Sequence, residues 1–323
     1  MDKVFWGFIG CGSVVENKSG MAFISDNSEI HAIMRRNIEK AKFSAKKFHA
    51  SSWYDNVEDL LSDEKVNAVY IATPPGLHFK QAIECCKAGK PTYIEKPLAK
   101  NYKEALQLVN FYKESGIPLF VAHYRRALQK FIKIREIINS GKIGKILEVD
   151  FRLNRSYDKD ELINSWLYDV AISGGGRFYD LAPHSIDIMV YLFGNFSKVY
   201  GLKTNNNPDY EVEDIVTMCF ETENGILGST NFNFLAFDEE DKMIVHGENG
   251  IISFSIHGNN DIMIKTVDEI DELTISTPKF IEESMIREVT HELLTGKKHS
   301  TCSGEEALET YRIIDEVLNN DTK

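Results

Sequence analysis

The strongest constraint on the fold is an alternation of short apolar runs with segments of helical pattern over the first 122 residues. Strands that alternate with helices in this way build parallel sheets. The run Ala68–Ala72 is apolar at every position, as expected for a strand buried on both faces. We therefore predict an α/β fold whose N-terminal part is a doubly wound parallel sheet. The predicted strands include Val4–Ile9, Glu29–Met34, Ala68–Ala72, an apolar strand in the run Lys90–Ile94, and Pro118–Ala122.

A glycine motif follows the first of these strands, in Gly10-Cys11-Gly12-Ser13-Val14-Val15. In a dinucleotide-binding fold the first glycine allows a tight turn and the second lets the backbone approach the pyrophosphate at the next helix N-terminus. Val15 stands where Gly or Ala is usual, so the fingerprint is partial. A glycine-rich turn without a ligand is the alternative interpretation, and a Rossmann domain is our prediction.

Two arginines end the second strand, Arg35 and Arg36, a little over twenty residues after the glycines. An acidic residue there would accept a hydrogen bond from the 2′-hydroxyl of NAD, whereas arginine suits the 2′-phosphate of NADP. We predict NADP(H), with NAD(H) possible. The alternative is that both arginines only decorate the start of a helix capped by Asn37.

Two further segments lie at the carboxyl ends of predicted strands, where open α/β sheets bind ligands. Thr73-Pro74-Pro75-Gly76-Leu77-His78 reads as a rigid loop after the third strand. Glu95-Lys96-Pro97-Leu98 follows the apolar strand in the run Lys90–Ile94, and Pro97 disfavours helical geometry at Lys96. Lys96 is thus presented from an extended backbone, although an exposed Glu-Lys pair before a turn gives the same pattern.

After His123 the pattern changes to strands at hairpin spacing, with Asn-Gly turns at Asn224-Gly225 and Asn249-Gly250. A chain of 323 residues also exceeds what one core usually supports. We predict two domains, a Rossmann domain over 1–122 and an α+β domain with a large, mainly antiparallel open sheet over 123–323.

One segment of the second half has a composition that regular structure disfavours, Gly174-Gly175-Gly176 followed by Asp180, Pro183 and His184. Successive glycines are tolerated where the backbone passes close to something else. We predict that Asp180 caps a helix with Pro183 in its first turn, one turn before His184. A carboxylate that close orients an imidazole for acid–base chemistry, and the alternative is a cap beside a solvated histidine.

Composition excludes several classes of partner. The 49 acidic and 37 basic residues give a formal charge of −12, which disfavours nucleic acids and anionic membranes. The five cysteines are scattered without C-x-x-C spacing, so we predict neither a disulfide framework nor a metal site. The start of the sequence has no hydrophobic leader, and we expect a cytoplasmic protein.

The ordered set of motifs resembles the Gfo/Idh/MocA family of nicotinamide-dependent oxidoreductases. The matching pieces are Gly10-Cys11-Gly12, Ala72-Thr73-Pro74-Pro75 with His78, Glu95-Lys96-Pro97-Leu98, Tyr124-Arg125-Arg126, and Gly174-Gly175-Gly176 with Asp180 and His184. The resemblance implies three sets of site residues. The catalytic residues would be Lys96, Asp180 and His184; the cofactor-binding residues Gly10, Gly12, Ser13, Val14, Arg35, Arg36, Ala72, Thr73, Pro74, His78, Glu95, Lys96 and Arg125; the substrate residues Lys96, Tyr124, Trp166, Asp180 and His184.

Two departures affect the substrate side of this resemblance. Tyr124 stands where many members have asparagine, and Leu167 replaces an arginine often found beside the tryptophan that Trp166 matches. The family further implies a homodimer or homotetramer that pairs through the open sheet of the second domain.

The expected activity is hydride transfer between NAD(P) and a hydroxyl or carbonyl carbon of a sugar, polyol, inositol or cyclic diol. A catalytically silent NAD(P)-sensing regulator of the same fold is the alternative, and a sugar-binding protein with an unused cofactor fold is a third possibility. Neither the regulator nor the sugar-binding protein would need to have Lys96, Asp180 and His184 together.

Overall fold

The computed structural model describes residues 2–157 and 166–319, which form two compact units. The first unit comprises Met1–Ala127 and Pro278–Leu308, and the second comprises Leu128–Thr277 and Glu309–Lys323. Within the first unit, Ser303 forms a β-bridge with Phe120. The segment 278–308, which we placed in the C-terminal domain, therefore packs with the N-terminal sheet, and the boundary after residue 122 stays a prediction.

The first unit is built on a parallel sheet of six strands in the order β3-β2-β1-β4-β5-β6. The strands are β1 (Val4–Ile9), β2 (Ser28–Met34), β3 (Ser52–Tyr54), β4 (Ala68–Ile71), β5 (Thr92–Ile94) and β6 (Leu119–Val121). The helices are α1 (Ile38–Lys47), α2 (Val57–Ser62), α3 (His78–Lys87) and α4 (Tyr102–Ser115). The predicted doubly wound sheet is confirmed, whereas the three-residue edge strand β3 was missed because it lacks an apolar run.

The segment after the glycine motif is a poor α-helix. It forms a π-helical turn at Val15–Ser19 and a 3-10 turn at Gly20–Phe23. Phe23 then packs among aromatic side chains of the strands, with ring centroids 4.8 Å from Phe8 and 4.7 Å from Tyr70. Tyr70 in turn stacks on Tyr93 at 5.4 Å. These fully buried rings fill one face of the sheet next to the ends of β4 and β5.

Asparagine caps begin several helices of this unit. The side chains of Asn37 and Asn101 accept hydrogen bonds from the backbone amides three residues on, and the sequence indicated the cap at Asn37. Asn56 caps α2 in the same way, through the amide of Asp59.

The second unit contains an eight-stranded sheet in the order β14-β13-β12-β11-β7-β10-β9-β8. Six of its seven strand pairs are antiparallel and only β7–β10 is parallel. The strands are β7 (Ile146–Asn154), β8 (Phe196–Thr204), β9 (Ile215–Thr222), β10 (Leu227–Asn233), β11 (Glu240–Gly247), β12 (Gly250–Phe254), β13 (Asp261–Thr266) and β14 (Ile270–Thr274). The predicted mainly antiparallel sheet is confirmed, and the edge strand β14 was missed because its sequence is largely polar.

Five helices complete the described part of the two units. They are α5 (Gln129–Asn139), α6 (Val170–Ser173), α7 (Arg177–Phe193), α8 (Glu283–Thr295) and α9 (Gly304–Asn319). Reciprocal hydrogen bonds between Ser303 and Glu306 form a capping box at the start of α9. A 3-10 turn at Tyr124–Ala127 precedes α5.

Helix α7 begins earlier than the sequence predicted. Gly176 is its N-cap, so Asp180 lies inside the first turns and Pro183 lies within the helix. Our prediction that Asp180 is the cap is therefore wrong. The reason is that Gly176, where a Cβ atom would come within 2.4 Å of Val212, lets the chain pass close to its neighbour and start the helix at once. His184 still lies one turn beyond Asp180.

Candidate active site

The two glycines of the loop after β1 have different surroundings. Gly10 has φ of +89°, and a Cβ atom there would lie 2.6 Å from the carbonyl oxygen of Ala72. Gly12, in contrast, faces open space, with no atom within 4 Å of the corresponding position. The loop therefore leaves room at the place where a pyrophosphate approaches the backbone in this type of fold. Ser13 and Val14 have helical backbone and lead into the π-helical turn at Val15–Ser19, and Ser13 accepts a hydrogen bond from Asn17.

A cluster of charges adjoins this loop. The Arg35 guanidinium donates to Ser44 at 3.0 Å and lies 3.8 Å from the Glu16 carboxylate, which also pairs with Lys47 at 3.3 Å. Cys11, between the two glycines, is buried beside the same groups, and burial raises the pKa of its thiol. Arg36 is exposed at the end of β2. The sequence drew attention to the two arginines, but it did not indicate that Glu16 and Lys47 belong to the same charge cluster.

His78 lies beneath the loops that follow β4 and β5. Its side chain is fully buried, with Nδ1 2.8 Å from the carbonyl oxygen of Pro97 and Nε2 2.7 Å from that of Thr73. Burial, together with the nearby Lys96 charge, lowers the pKa of His78 to about 4 against the effect of these two carbonyls. A neutral imidazole has a single N–H and donates to one of the two oxygens. His78 thus connects the loop that follows β4 with the loop that follows β5.

The Glu95 carboxyl group belongs to a buried polar network. Tyr70 donates to Glu95 at 2.5 Å, and the Tyr70 hydroxyl also lies 3.0 Å from the Ser19 hydroxyl. The Glu95 side chain is also hydrogen-bonded to Glu282, which is 1% exposed. Burial raises the pKa of both carboxyl groups. The sequence carried no signal for Glu282, because a glutamate far along the chain cannot be assigned to this network without the fold.

Lys96 comes directly after Glu95 at the carboxyl end of β5, and the Lys96–Pro97 peptide bond is cis. Lys96 is half-buried, so its predicted presentation at the strand end fits the structure. Tyr124 and Arg125 follow β6 in a 3-10 turn and are 5% and 9% exposed. The Arg125 guanidinium lies 5.4 Å from the centre of the Tyr124 ring. Ala72, Thr73 and Pro74 form the loop after β4, where Thr73 donates to Gln81 at 2.6 Å.

In the second unit, Asp180 and His184 lie on α7, where Asp180 is half-buried and His184 is 6% exposed. Trp166 begins a 3-10 turn, Trp166–Tyr168, ahead of the glycines. Each unit therefore presents its own part of the predicted set: the first unit Lys96 with the glycine loop, and the second unit Asp180 and His184. Among the described residues no cluster of three or more His, Cys, Asp or Glu side chains is arranged to hold a metal ion.

Comparison with known proteins decides the family. The model of the oxidoreductase family with an NAD-binding Rossmann fold matches residues 4–123, and the GFO/IDH/MocA C-terminal domain model matches residues 131–253. Oxidoreductase P35 of Formosa agariphila is 34% identical over 97% of this chain and 98% of its own. The chain belongs to the Gfo/Idh/MocA family.

Relatives of this Gfo/Idh/MocA protein include a sugar dehydrogenase. Levoglucosan dehydrogenase of Pseudarthrobacter phenanthrenivorans is 27% identical over 84% of this chain and 73% of its own. A solved structure of levoglucosan dehydrogenase in complex with NADH and levoglucosan has a TM-score of 0.84 over 98% of this chain and 96% of that one, at 23% identity. That likeness shows the shared fold.

Family membership makes this Gfo/Idh/MocA protein an oxidoreductase with a Rossmann domain for NAD-type cofactors. In the part of the chain that the structure describes, no helix has both the length and the apolar character of a membrane span.

Proposed function

We propose that this protein transfers a hydride between NADP(H) and a hydroxyl or carbonyl carbon of a sugar, polyol, inositol or cyclic diol. The observation that carries the proposal is the shared edge of the first unit's sheet. The glycine loop after β1 and Lys96 after β5 both lie at the carboxyl ends of parallel strands, the side on which such sheets bind ligands.

The proposal gives the first unit's residues the task of holding the cofactor. Gly10, Gly12, Ser13 and Val14 would bind the pyrophosphate through backbone amides. Arg35 and Arg36 would face the adenosine ribose and its phosphate. Ala72, Thr73, Pro74, His78 and Glu95 would define the nicotinamide side, with the buried His78 acting as a brace for the loops. Arg125 would be a further cofactor-binding residue. When bound, the nicotinamide supplies or accepts the hydride.

The protein's own chemistry concerns the proton on the substrate oxygen. His184, oriented by Asp180, would be the principal acid–base group at that oxygen, and Lys96 would hydrogen-bond to it and stabilise its developing negative charge. The exchange of these two roles between His184 and Lys96 is the alternative. Tyr124 and Trp166 would contact the rest of the substrate.

The substrate class rests on relatives. One relative is named for levoglucosan, a sugar derivative. Another, scyllo-inositol 2-dehydrogenase (NADP(+)) IolW of Bacillus subtilis, is named for an inositol and for NADP; it is 28% identical over 60% of this chain and 53% of its own. The arginines favour NADP(H) here, although the solved levoglucosan dehydrogenase complex contains NADH. Cytoplasmic location and a homodimer or homotetramer remain predictions.

A titration with NADPH, NADP, NADH and NAD, followed by a screen of polyols, aldoses, ketoses, inositols and diols for a change in absorbance at the reduced nicotinamide, tests the proposal. Cofactor binding with turnover of at least one compound supports it. Cofactor binding without turnover, combined with unchanged cofactor affinity in Lys96 and His184 variants, would instead favour the sensing regulator.

A further inference from the structure

Two histidine rings meet in the second unit. The ring of His257, in the loop between β12 and β13, lies edge-on to the ring of His184, with centroids 5.8 Å apart and an interplanar angle of 76°. His257 Nε2 also hydrogen-bonds at 2.9 Å to the hydroxyl of Ser185, which is fully buried and next to His184 on α7. The His257 ring therefore contacts α7 at the position of His184.

The backbone of His257 is held by a carboxylate from the neighbouring strand. Asp241 on β11 accepts three consecutive backbone N–H groups, from Ile256 at 2.9 Å and from His257 and Gly258 at 2.6 Å each. The Asp241 side chain is only 7% exposed, and Arg155 lies 3.9 Å from it. Three amides directed at one buried carboxylate form a nest, which fixes the backbone of this loop.

A buried lysine also holds this loop. Lys130 on α5 is 4% exposed, and its ammonium group donates to the carbonyl oxygens of Ser255 and Asn259 at 2.6 Å each. Burying an ammonium group is costly unless it is well hydrogen-bonded. The two residues that Lys130 contacts flank His257 on either side, so the loop is anchored at both ends.

This anchoring exceeds what the connection of two adjacent antiparallel strands requires, since a hairpin is ordinarily fixed by its turn residues and strand pairing. The anchors fix the backbone on both sides of His257 in the sequence, and the His257 side chain lies against the ring of His184. We propose that His257 is a positioning residue that holds the imidazole of His184 in one orientation. The proposal rests on the proposed function, in which His184 is the acid–base group.

The physical reason is orientation. A histidine ring can rotate broadly about its Cβ–Cγ bond, and an acid–base group loses efficiency when its ring nitrogen is not directed at the reacting oxygen. The position of the His257 ring is fixed, because Asp241 binds the His257 backbone and Ser185 hydrogen-bonds to Nε2. The His257 ring therefore restricts the rotation of the His184 ring.

The test compares His257→Leu, which removes the hydrogen bond to Ser185, with His257→Gln, whose amide can replace Nε2. We expect His257→Leu to lower kcat by about 10- to 100-fold, the size of effect that small misplacements of a catalytic group produce. KM and NADPH affinity should stay within about twofold of wild type, and His257→Gln should recover most of the loss.

Ser185→Ala should change kcat in the same direction by a smaller factor. His246→Leu, at a half-buried histidine on β11, is the matched control and should keep wild-type kcat.

A second measurement is independent of turnover. In protein labelled with ¹⁵N-histidine, the ring nitrogens of His184, assigned with a His184→Gln variant, should shift in His257→Leu but not in His246→Leu. Unchanged kcat together with unshifted His184 resonances would overturn the proposal. Equal losses of kcat in the Leu and Gln variants, with a lowered melting temperature in both, would do so as well, since they would indicate a structural role. If no substrate is turned over, the proposed function fails, while the resonance comparison still tests the contact.

Discussion

Tyr70 donates a 2.5 Å hydrogen bond to Glu95, and the Glu95 side chain is also hydrogen-bonded to the buried carboxyl group of Glu282. Two buried carboxyl groups that share a site cannot both ionise at low cost. Burial and the neighbouring Glu95 raise the pKa of Glu282 well above its usual range, and burial raises the pKa of Glu95. The pair therefore holds a proton next to Lys96.

This shared proton predicts a pH dependence of stability. The folded state keeps a proton that the unfolded chain has already released, so the free energy of unfolding should fall as pH rises above the ordinary glutamate range. In Glu282→Gln the amide replaces the protonated carboxyl group, and the fall should become shallower. The check is the melting temperature between pH 5 and pH 9, with Glu39→Gln on the exposed side of α1 as the control. Parallel curves for wild type and Glu282→Gln would contradict the shared proton.

The lowered pKa of His78 predicts the opposite effect at low pH, where the free energy of unfolding should rise with pH. Its pKa is lowered to about 4, from an ordinary value near 6.5, because the ring is buried. The unfolded chain therefore binds a proton first as the pH falls, and stability present above pH 6.5 is lost towards pH 4. A shift of this size corresponds to about 3 kcal/mol at 1.36 kcal/mol per pKa unit.

The measurement is the unfolding free energy from urea titrations at pH 7 and pH 4.5. His78→Leu should be less stable than wild type at pH 7, because Thr73 and Pro97 lose their contact, but it should lose less further stability on acidification. An equal or steeper loss in the variant would show that His78 is not the group responsible. His291→Leu, at an exposed histidine on α8, provides the comparison.

The sequence predicted those parts of the molecule that depend on local patterns. The strands β1, β2 and β4, the asparagine caps and the Asn224-Gly225 turn were predicted because apolar runs and cap residues act over a few positions. Short edge strands such as β3 have too few residues to produce a pattern. The start of α7 was misplaced because a proline usually marks a first turn, whereas here the preceding glycines begin the helix.

Partners distant in sequence stayed beyond prediction. Glu282 meets Glu95 only because the segment 278–308 packs with the first unit, and Lys130 meets Ser255 only through the second unit's fold. Neither residue type is unusual in its local sequence. The resemblance to the family predicted Lys96, Asp180 and His184 as site residues, and this assignment stays a prediction. It gave no information on the side chains that contact them.

The charges beside the glycine loop predict how the protein discriminates between cofactors. Glu16 neutralises part of the positive charge of Arg35 and Lys47, at 3.8 Å and 3.3 Å. These ion pairs are partly exposed, and such pairs contribute about 0–1 kcal/mol. Glu16→Gln should therefore tighten NADPH binding by about twofold to fivefold, and Lys47→Met should weaken it by a similar factor.

NADH lacks the 2′-phosphate, so its affinity should stay within about twofold in both variants. The measurement is a fluorescence titration of each reduced cofactor at low and moderate salt, with Lys46→Met as the control for a neighbouring exposed lysine. Equal changes for NADPH and NADH would show that the cluster does not face the phosphate. Unchanged NADPH affinity in an Arg35→Ala, Arg36→Ala double variant would remove the basis for NADP(H) preference altogether.

Lys96 gives the most direct prediction about chemistry. If Lys96 stabilises charge on the substrate oxygen, Lys96→Met should lower kcat by about 10²- to 10⁴-fold while NADPH affinity changes little. Lys100→Met removes a lysine from the same loop, one that pairs with Glu104 at 3.7 Å, and it should leave kcat near wild type. Near-normal turnover in Lys96→Met would refute the assignment.

A double-mutant cycle separates cooperation from independent roles. Groups that act on one oxygen in one transition state give non-additive losses, because the second substitution removes little once the first has disabled the step. Lys96→Met combined with His184→Gln should therefore lose far less than the product of the two single losses. Additive losses would mean that the two residues serve different steps. In that case the acid–base role would belong to whichever residue shifts the pH dependence of kcat when it is replaced.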